Sequence, residues 1–259
     1  MGYRMKIAIV QFETDEALNL DFTFSSLINL LPPAGSCDLV VLPELWLQGA
    51  FEFSNFSEKV LSGIEGKLEI LGGVAKKNRY WLHAGSFLVR EGNFIFNKAI
   101  LFDSDGKTRA NYRKNYVFGF GDGEAKFVSP SSECEVIETP WGKIGFAICY
   151  DLRFPEHFRR NTLAGAEILL ICAAWPETRI GHWKNLICSR AIENQLLVIG
   201  CNGVGKQTDA ILGGNSLIVG PDGKTLLELG NKQAVTFLEV DTRLIQEQRL
   251  SFPVLKDMK

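Results

Sequence analysis

The sequence lacks the features that mark membrane, secreted or nucleic-acid-binding proteins. Its longest apolar run, at residues 168–175, is far below the roughly 18–20 residues that cross a bilayer. The formal net charge is only −2, and the longest basic cluster, at residues 75–79, is too short to indicate a nucleic-acid partner. The first strand-like segment begins at Ile7 with no secretory signal before it. We therefore expect a cytoplasmic protein with no membrane or nucleic-acid partner.

Metal-binding and disulfide patterns are also absent from the sequence. None of the six cysteines forms a CxxC pair, and none has metal-ligand spacing with any of the three histidines. The cysteines are Cys37, Cys134, Cys149, Cys172, Cys188 and Cys201, and the histidines are His83, His157 and His182. We expect all the cysteines except Cys149 to be buried reduced thiols, and we expect no structural zinc site.

Length and composition predict one α/β domain over residues 1–259. The chain is 46% hydrophobic, which is enough for one large core, and it contains no linker or low-complexity segment. Predicted helices cover residues 65–78, 155–164 and 182–194, and predicted strands cover residues 38–44, 81–89, 94–102, 144–148, 168–173, 196–201, 216–219 and 225–229. This mixture of strands and helices is typical of α/β proteins.

Cys149 is the most informative residue of the chain. It follows an apolar, β-prone run at residues 144–148, and a polar turn then leads to Pro155, a residue favoured at the first position of a helix. A thiol at a strand-to-helix turn is exposed at the sheet edge and lies near helix amide groups, and both effects favour the reactive thiolate. Most lone cysteines are small buried hydrophobes, so this segment alone leaves both interpretations open.

Two further segments each bring a charged side chain to the end of a predicted strand. Glu44 ends the segment at residues 38–44, and Lys114 lies between aromatic residues after another strand. Taken alone, Glu44 is also compatible with helix capping or a salt bridge, and Lys114 with a solvated surface charge; Arg113 competes with Lys114 as the active cation. A carboxylate, an amine and the Cys149 thiol are a workable set for hydrolysing an amide, as base, oxyanion stabiliser and nucleophile.

Several short motifs match one family in its order along the chain. They are Leu42-Pro43-Glu44, Tyr112-Arg113-Lys114, Ile148-Cys149-Tyr150-Asp151-Leu152-Arg153-Phe154-Pro155-Glu156, Ala174-Trp175-Pro176, Trp183, Arg190-Ala191-Ile192-Glu193-Asn194-Gln195 and Gly214-Asn215-Ser216. With them the chain resembles the nitrilase superfamily of carbon–nitrogen hydrolases from Lys6 to Asp257. Trp175-Pro176 and the tail at residues 252–257 resemble the short ω-amidase-like branch. Where the family often has His-Leu-Phe, this chain has Tyr116-Val117-Phe118.

The resemblance implies a fold and a set of catalytic residues. It implies a four-layer αββα sandwich that forms a homodimer through one helical face and needs no metal or organic cofactor. It also implies a catalytic triad of Glu44, Lys114 and Cys149, with an oxyanion held by Lys114 and the main-chain N–H of Tyr150. Glu124 matches the position of a supporting second glutamate, for which a solvated loop charge is the alternative and Asp122 is a competitor.

Three residues near the nucleophile have more than one interpretation. Arg153 either pairs with an acid, Asp151 or Glu156, or meets a substrate carboxylate, for which a planar guanidinium is well suited. Trp175 either lines the substrate pocket or is a plain core tryptophan. Asp151 is expected to cap the helix that follows it, because helix start signals come directly after it.

The resemblance to the ω-amidase-like branch implies the reaction. We expect hydrolysis of a small amide that carries a carboxylate at its far end, with a thioester on Cys149 as the intermediate and ammonia as a product. Hydrolysis of N-carbamoyl groups or nitriles is the alternative within the superfamily. An N-acyltransferase would instead pass the acyl group to an amine. A binding protein without catalysis would not be trapped as a Cys149 adduct.

Overall fold

The computed structural model describes residues 3–14, 19–51, 53, 60, 64–119, 123–208 and 210–258. The strands in chain order are β1 (Arg4–Gln11), β2 (Leu39–Val41), β3 (Trp81–Glu91), β4 (Phe94–Phe102), β5 (Thr108–Arg113), β6 (Val136–Thr139), β7 (Gly142–Ile148), β8 (Ile168–Ala173), β9 (Leu197–Asn202), β10 (Val204–Lys206), β11 (Ile211–Gly213), β12 (Leu217–Val219), β13 (Thr225–Glu228) and β14 (Ala234–Asp241). The α-helices are α1 (Leu20–Leu30), α2 (Ile64–Asn78), α3 (Pro155–Leu163), α4 (Ile180–Asn194) and α5 (Arg243–Ser251). Short 3-10 helices cover Glu124–Lys126, Cys149–Arg153, Glu177–Arg179 and Val254–Asp257.

Two six-stranded sheets organise the fold. The strand order is β14-β1-β2-β3-β4-β5 in the first sheet and β13-β12-β9-β8-β7-β6 in the second. The central strands of each sheet are parallel, β1 to β3 in the first and β7 to β9 in the second, and antiparallel strands flank them. Parallel neighbours require crossover connections, and α1, α2, α3 and α4 lie in those connections.

Alternate positions along the central strands face two different layers. In β8, Ile168, Leu170 and Cys172 pack between the two sheets, whereas Leu169 and Ile171 pack in the cluster that contains side chains of α3 and α4. The first sheet repeats this arrangement with α1 and α2 on its outer face. The layers are therefore helix, sheet, sheet and helix, and the predicted α/β sandwich is confirmed.

Most predicted elements lie within two residues of the observed ones. The strands predicted at 94–102 and 168–173 are β4 and β8, and the helix predicted at 65–78 is α2. The sequence patterns did not indicate α1 or β14. In the described part of the chain, no helix is both long and apolar enough to span a membrane.

The three residues of the expected triad follow the ends of three strands. Glu44 lies in the loop after β2, Lys114 directly follows β5, and Cys149 directly follows β7. The first two strands belong to one sheet and the third belongs to the other. The site is therefore assembled where the two sheets face each other.

Candidate active site

The turn that carries Cys149 has a strained backbone. Ile148 ends β7 in an extended conformation, with φ −121° and ψ 114°, and Cys149 then adopts a φ of +42° at the start of a 3-10 helix. A positive φ costs a residue with a Cβ about 1–3 kcal/mol, and such strain concentrates at functional sites. The abrupt change of direction places Cys149, a partly exposed residue, in the lining of a pocket, whereas Ile148 is fully buried in the core.

Asp151 holds this turn in place. Its buried carboxylate accepts hydrogen bonds from the Ile148 N–H (2.8 Å) and the Tyr112 hydroxyl (2.7 Å). It also accepts the main-chain N–H groups of Asn115 (3.2 Å) and Tyr116 (2.8 Å), in the loop after β5. Asp151 is a helix-cap residue as expected, but it caps the start of the 3-10 helix Cys149–Arg153 through the Ile148 N–H, whereas α3, all of whose residues are described, begins without a side-chain cap. Asp151 also ties the nucleophile turn to the segment that carries the lysine.

Glu44 is placed by a close approach between its turn and β3. It forms an isolated β-bridge with Ser86, whose carbonyl accepts the N–H of Leu45 at 3.1 Å. Gly85 has a φ of +73° at an irregularity in the pairing of β3 with β4. A Cβ on Gly85 would lie 2.0 Å from the Pro43 carbonyl oxygen. Only glycine therefore lets β3 support the turn that ends in Glu44.

Gly85→Ala is expected to destabilise the protein by at least about 2 kcal/mol, because the methyl group meets main-chain atoms and the backbone conformation disfavours a side chain. Equilibrium unfolding in urea measures this loss. Gly73→Ala is the matched control, since Gly73 lies in α2 with open space around it, and alanine is the better helix former. A Gly85→Ala protein as stable as the wild type would contradict the close approach.

Lys114 joins two glutamates in a buried ion cluster. Its Nζ donates to Glu44 Oε1 and to Glu124 Oε2, both at 2.8 Å. The three side chains are at most 4% exposed, so water screens their charges little. Burial alone would lower the pKa of Lys114, but the charges of Glu124 and Glu44 outweigh it and raise that pKa well above its usual range. Lys114 therefore remains an ammonium beside the two carboxylates.

Arg113, the competitor of Lys114, lies elsewhere. Arg113 forms ion pairs with Glu91 (2.6 Å) and Glu133 (2.7 Å), away from the cluster. Asp122, the competitor of Glu124, lies outside the described residues. The cluster thus contains Lys114 and Glu124 as the motif positions predicted.

The Cys149 thiol is neutral in the resting site. Desolvation raises its pKa well above the usual range, the charge of Glu44 raises it further, and the ammonium of Lys114 offsets only part of this. The sequence argument that the strand-to-helix turn favours the thiolate therefore does not hold for the resting site, because burial and a carboxylate outweigh the lysine. A neutral thiol reacts only after it loses its proton, and Glu44 is the carboxylate beside it.

Asn97 belongs to the same cluster, although no motif indicated it. Its side-chain amide donates to Glu44 Oε1 and to Glu124 Oε1, each at 2.9 Å. The signal available in the sequence is a polar residue at the centre of the apolar segment 94–102. Such a residue must find buried partners, and here the partners are both glutamates.

Two arginines line the wall of the pocket above Cys149. The guanidinium of Arg153 lies 4.6 Å from the centre of the Trp175 ring, and its Nη1 is 3.4 Å from His182 Nδ1. Arg179, which no motif indicated, lines the same pocket. Within the described ranges neither arginine forms an ion pair with a carboxylate, so the pairing of Arg153 with a neighbouring acid is not seen. The pKa of Arg153 is lowered by desolvation and by the charge of Arg179.

Trp175 both lines the pocket and belongs to the core. It is 2% exposed and packs against Trp183 with ring centres 5.7 Å apart. Its indole N–H donates to the Arg179 carbonyl at 2.8 Å. The tryptophan therefore fixes the main chain at Arg179, and the face of its ring contacts the guanidinium of Arg153.

The departure from the family pattern after Lys114 affects the pocket only indirectly. The Tyr116 ring stacks on Phe154 at 3.8 Å, with an angle of 7° between the planes. Phe118, the position shared with the family, lines the pocket. It meets the Tyr150 ring edge-on at 5.3 Å. Tyr150 is the second residue of the 3-10 helix that begins at Cys149. The main-chain N–H groups in the first turn of a helix point toward its start, which here is Cys149.

Comparisons with known proteins agree with this geometry. Residues 6–250 match the family model described as carbon-nitrogen hydrolase. The chain belongs to the carbon–nitrogen hydrolase family. It is 38% identical over 264 residues to a 2-oxoglutaramate amidase of Paenarthrobacter nicotinovorans, covering 99% of this chain and 90% of that protein. A 2-oxoglutaramate amidase of Bacillus subtilis strain 168 is 37% identical over 222 residues, covering 86% of this chain and 85% of the relative.

A solved structure shows the same fold. Nit3 of Saccharomyces cerevisiae, a member of branch 10 of the nitrilase superfamily, superposes with a TM-score of 0.84 at 29% identity, covering 97% of this chain and 95% of that one. The resemblance to the nitrilase superfamily is thereby confirmed, and the protein is a carbon–nitrogen hydrolase.

Proposed function

We propose that this carbon–nitrogen hydrolase releases ammonia from small amides that carry a carboxylate at the far end. The pocket carries the proposal. A thiol and a carboxylate base lie at its floor, and two arginines without acidic partners among the described residues lie at its wall. The relatives named 2-oxoglutaramate amidase support this class, because 2-oxoglutaramate is an amide with a carboxylate at its other end.

The first half of the proposed reaction forms a thioester. Glu44 takes the proton from Cys149, and the sulfur attacks the amide carbon as the carbonyl electron pair moves to oxygen. The Lys114 ammonium and the Tyr150 N–H donate to this oxyanion. The carbon–nitrogen bond then breaks, and the nitrogen leaves as ammonia with the proton that Glu44 had taken. Glu124 keeps Lys114 in position throughout.

The second half hydrolyses the thioester. Glu44, again a carboxylate, takes a proton from water, and the oxygen attacks the thioester carbon. The carbon–sulfur bond breaks, and the proton passes from Glu44 to the sulfur of Cys149. The net reaction consumes an amide and water and yields an acid and ammonia.

Arg153 and Arg179 supply the recognition of the far carboxylate in this proposal. Two neighbouring guanidinium groups repel each other, and a carboxylate bound between or beside them relieves that repulsion. Trp175 holds both in place, through the face of its ring for Arg153 and through the Arg179 carbonyl. Planar guanidinium groups bind carboxylates with two parallel hydrogen bonds, which selects the acid over a neutral amide of the same length.

Ammonia release from succinamate and from butyramide tests the proposal. We expect kcat/KM for succinamate to be about 10- to 150-fold higher, because a charge-assisted hydrogen bond contributes roughly 1.5–3 kcal/mol. Arg153→Met and Arg179→Met should each reduce this preference, chiefly by lowering kcat/KM for succinamate. Arg90→Met is the control, since Arg90 is exposed and outside the pocket.

Two results would contradict the proposed substrate class. One is equal kcat/KM for succinamate and butyramide in the wild type. The other is an equal loss on both substrates in the arginine variants, which would mean that the arginines support the fold and do not read the carboxylate. N-carbamoyl compounds and nitriles would then be the next substrates to assay.

We further infer a single domain over residues 1–259, a homodimer and a cytoplasmic location from the family resemblance. Exposed apolar side chains on α3 and α5 support the dimer, since Leu163 is 66% exposed and Leu250 is 78% exposed. The two helices approach each other, because Arg249 of α5 donates to the carbonyl of Ala166, which follows α3, at 2.9 Å. Light scattering of the purified protein distinguishes a dimer from a monomer.

A further inference from the structure

Asn97 occupies an unusual place for an asparagine. It lies in the middle of β4 with no exposed surface, and its Nδ2 donates to both Glu44 and Glu124. Its Oδ1 has no hydrogen-bond partner among the described residues. A buried carbonyl without a partner is costly, and native proteins contain few of them. The two hydrogen bonds from Nδ2 therefore have to offset the free-energy cost of the unpaired Oδ1, which an apolar residue would not have.

Asn97 also reaches the lysine of the cluster through the main chain. Its carbonyl accepts the Lys114 N–H at 2.9 Å, just beyond the last paired residue of β5. The two side chains then donate to the same pair of carboxylates from either side. Asn97, Glu44, Lys114 and Glu124 thus form a closed ring of hydrogen bonds in which Asn97 is the only uncharged member.

The ring makes the two oxygens of Glu44 unequal. Among the described residues, Oε1 accepts from both Lys114 and Asn97, whereas the one N–H group that donates to Oε2 is that of Ala174, at 2.9 Å. A carboxylate oxygen has two lone pairs, so Oε1 is fully occupied and Oε2 keeps one free position. Ala174 lines the pocket together with Cys149, so the free position is on the pocket side.

We propose that Asn97 is a positioning residue that occupies Glu44 Oε1 and directs the proton of Cys149 to Oε2. The proposal rests on the role of Glu44 in the proposed function. Without the second donor, Oε1 has a free lone pair of its own, and the carboxylate can rotate toward Lys114. The thiol proton then has no fixed acceptor, and both half-reactions slow down. Substrate binding is unaffected, because Asn97 does not line the pocket.

Two nearly isosteric substitutions separate this role from packing. Asn97→Leu fills the same space without a donor, and we expect kcat to fall about 10²-fold with KM unchanged, as for other losses of catalytic alignment. Asn97→Asp carries a donor only when its carboxyl group is protonated. Ionised, it adds a third negative charge, and neighbouring carboxylates favour its protonated form.

The two variants should respond differently to pH. The protonated form of Asn97→Asp grows as pH falls, so its kcat relative to the wild type should rise when pH is lowered from about 9 to about 6. The ratio for Asn97→Leu should stay constant over the same range. An Asn97→Leu kcat within about two-fold of the wild type, or a flat ratio for Asn97→Asp, would overturn the positioning role.

Asn194→Leu is a matched control for folding. Asn194 is also fully buried with an Oδ1 that lacks a partner in the described chain, but it lies in α4 away from the pocket. It should keep the wild-type kcat even if Tm changes. If Asn97→Leu does not fold, the pH response of Asn97→Asp decides the question alone.

A second readout needs no amide substrate. Alkylation of Cys149 by iodoacetamide also requires the thiol to lose its proton, so it should slow in Asn97→Leu about as much as turnover does. If the wild type releases no ammonia from any ω-amide but its alkylation still depends on Asn97, the proposed function fails and the positioning role stands. Equal alkylation rates in the wild type and Asn97→Leu would overturn the positioning role whatever the substrate.

Discussion

Replacing Cys149 by alanine is expected to lower kcat/KM by roughly 10⁴- to 10⁶-fold while the protein stays folded. Among the cysteines, all of which are described, Cys149 alone lines the pocket that contains Glu44 and Lys114. Alanine keeps the Cβ that the φ of +42° already accommodates, so the turn need not change. Ammonia release with succinamate measures the loss, and circular dichroism and Tm show whether the fold is retained.

Chemical labelling provides the complementary test of the nucleophile. Loss of activity on treatment with iodoacetamide should follow the modification of Cys149 in peptide maps. Cys134 is exposed and serves as the internal control, because its modification should leave activity unchanged. Inactivation that follows labelling of Cys134, with Cys149 unmodified, would contradict the assignment of Cys149 as nucleophile.

The raised pKa of Cys149 gives this labelling a defined pH dependence. Only the thiolate reacts, and in Glu44→Gln no carboxylate assists its formation. Desolvation, the largest cause of the raised pKa of Cys149, remains when the charge of Glu44 is removed. Below the thiol pKa the thiolate fraction grows about ten-fold for each pH unit, so alkylation of Glu44→Gln should rise steeply toward alkaline pH. In the wild type, Glu44 accepts the proton and the dependence should be shallower.

The sequence predicted those parts of the fold that depend on local patterns. β4 and β8 are apolar runs bounded by turn signals, and their limits were predicted to the residue. β14 was not predicted, because it is partly exposed and is specified by pairing with β1, more than 220 residues away in the chain. Periodicity within a short window carries no information about such a partner.

The candidate site likewise contains residues that local motifs predicted and residues that they did not. Glu44, Lys114 and Cys149 follow strand ends within short motifs, so their positions could be predicted from the order of those motifs. Asn97 and Arg179 could not be predicted, because each acquires its role only through packing. Asn97 is a polar residue inside a strand until β5 brings Lys114 beside it, and Arg179 enters the pocket through a 3-10 helix held by the Trp175 indole.

The protonation state of the Cys149 thiol also could not be predicted from the sequence. Proximity to an ammonium predicts a lowered pKa, yet desolvation by burial raises the pKa of Cys149, and the charge of the nearby Glu44 raises it further. The balance between two opposite charges and burial depends on distances of a few ångströms. A motif supplies the charges but not those distances.

Glu44→Gln is expected to lower kcat/KM by roughly 10²- to 10⁴-fold or more, because it removes proton transfer in both half-reactions. The amide also fits the site poorly. Oε1 accepts from Lys114 and Asn97, and Oε2 accepts from the Ala174 N–H, so either orientation of the glutamine directs its NH₂ group at a donor. Neither orientation of the glutamine side chain therefore restores the ring of hydrogen bonds.

Glu124→Gln is the matched variant, and it should lose less activity by at least about ten-fold. Its remaining oxygen can still accept from Lys114 Nζ (2.8 Å) and from the Phe118 N–H (3.2 Å), and only the hydrogen bond from Asn97 is lost, because its Nδ2 then faces the new NH₂ group. Lys114 then keeps its place, and Glu44 still transfers protons. Steady-state kinetics on succinamate, with Tm measured for both proteins, compares the two losses. Equal losses would mean that the two glutamates share one role. A fully active Glu44→Gln would mean that Glu44 is not the base.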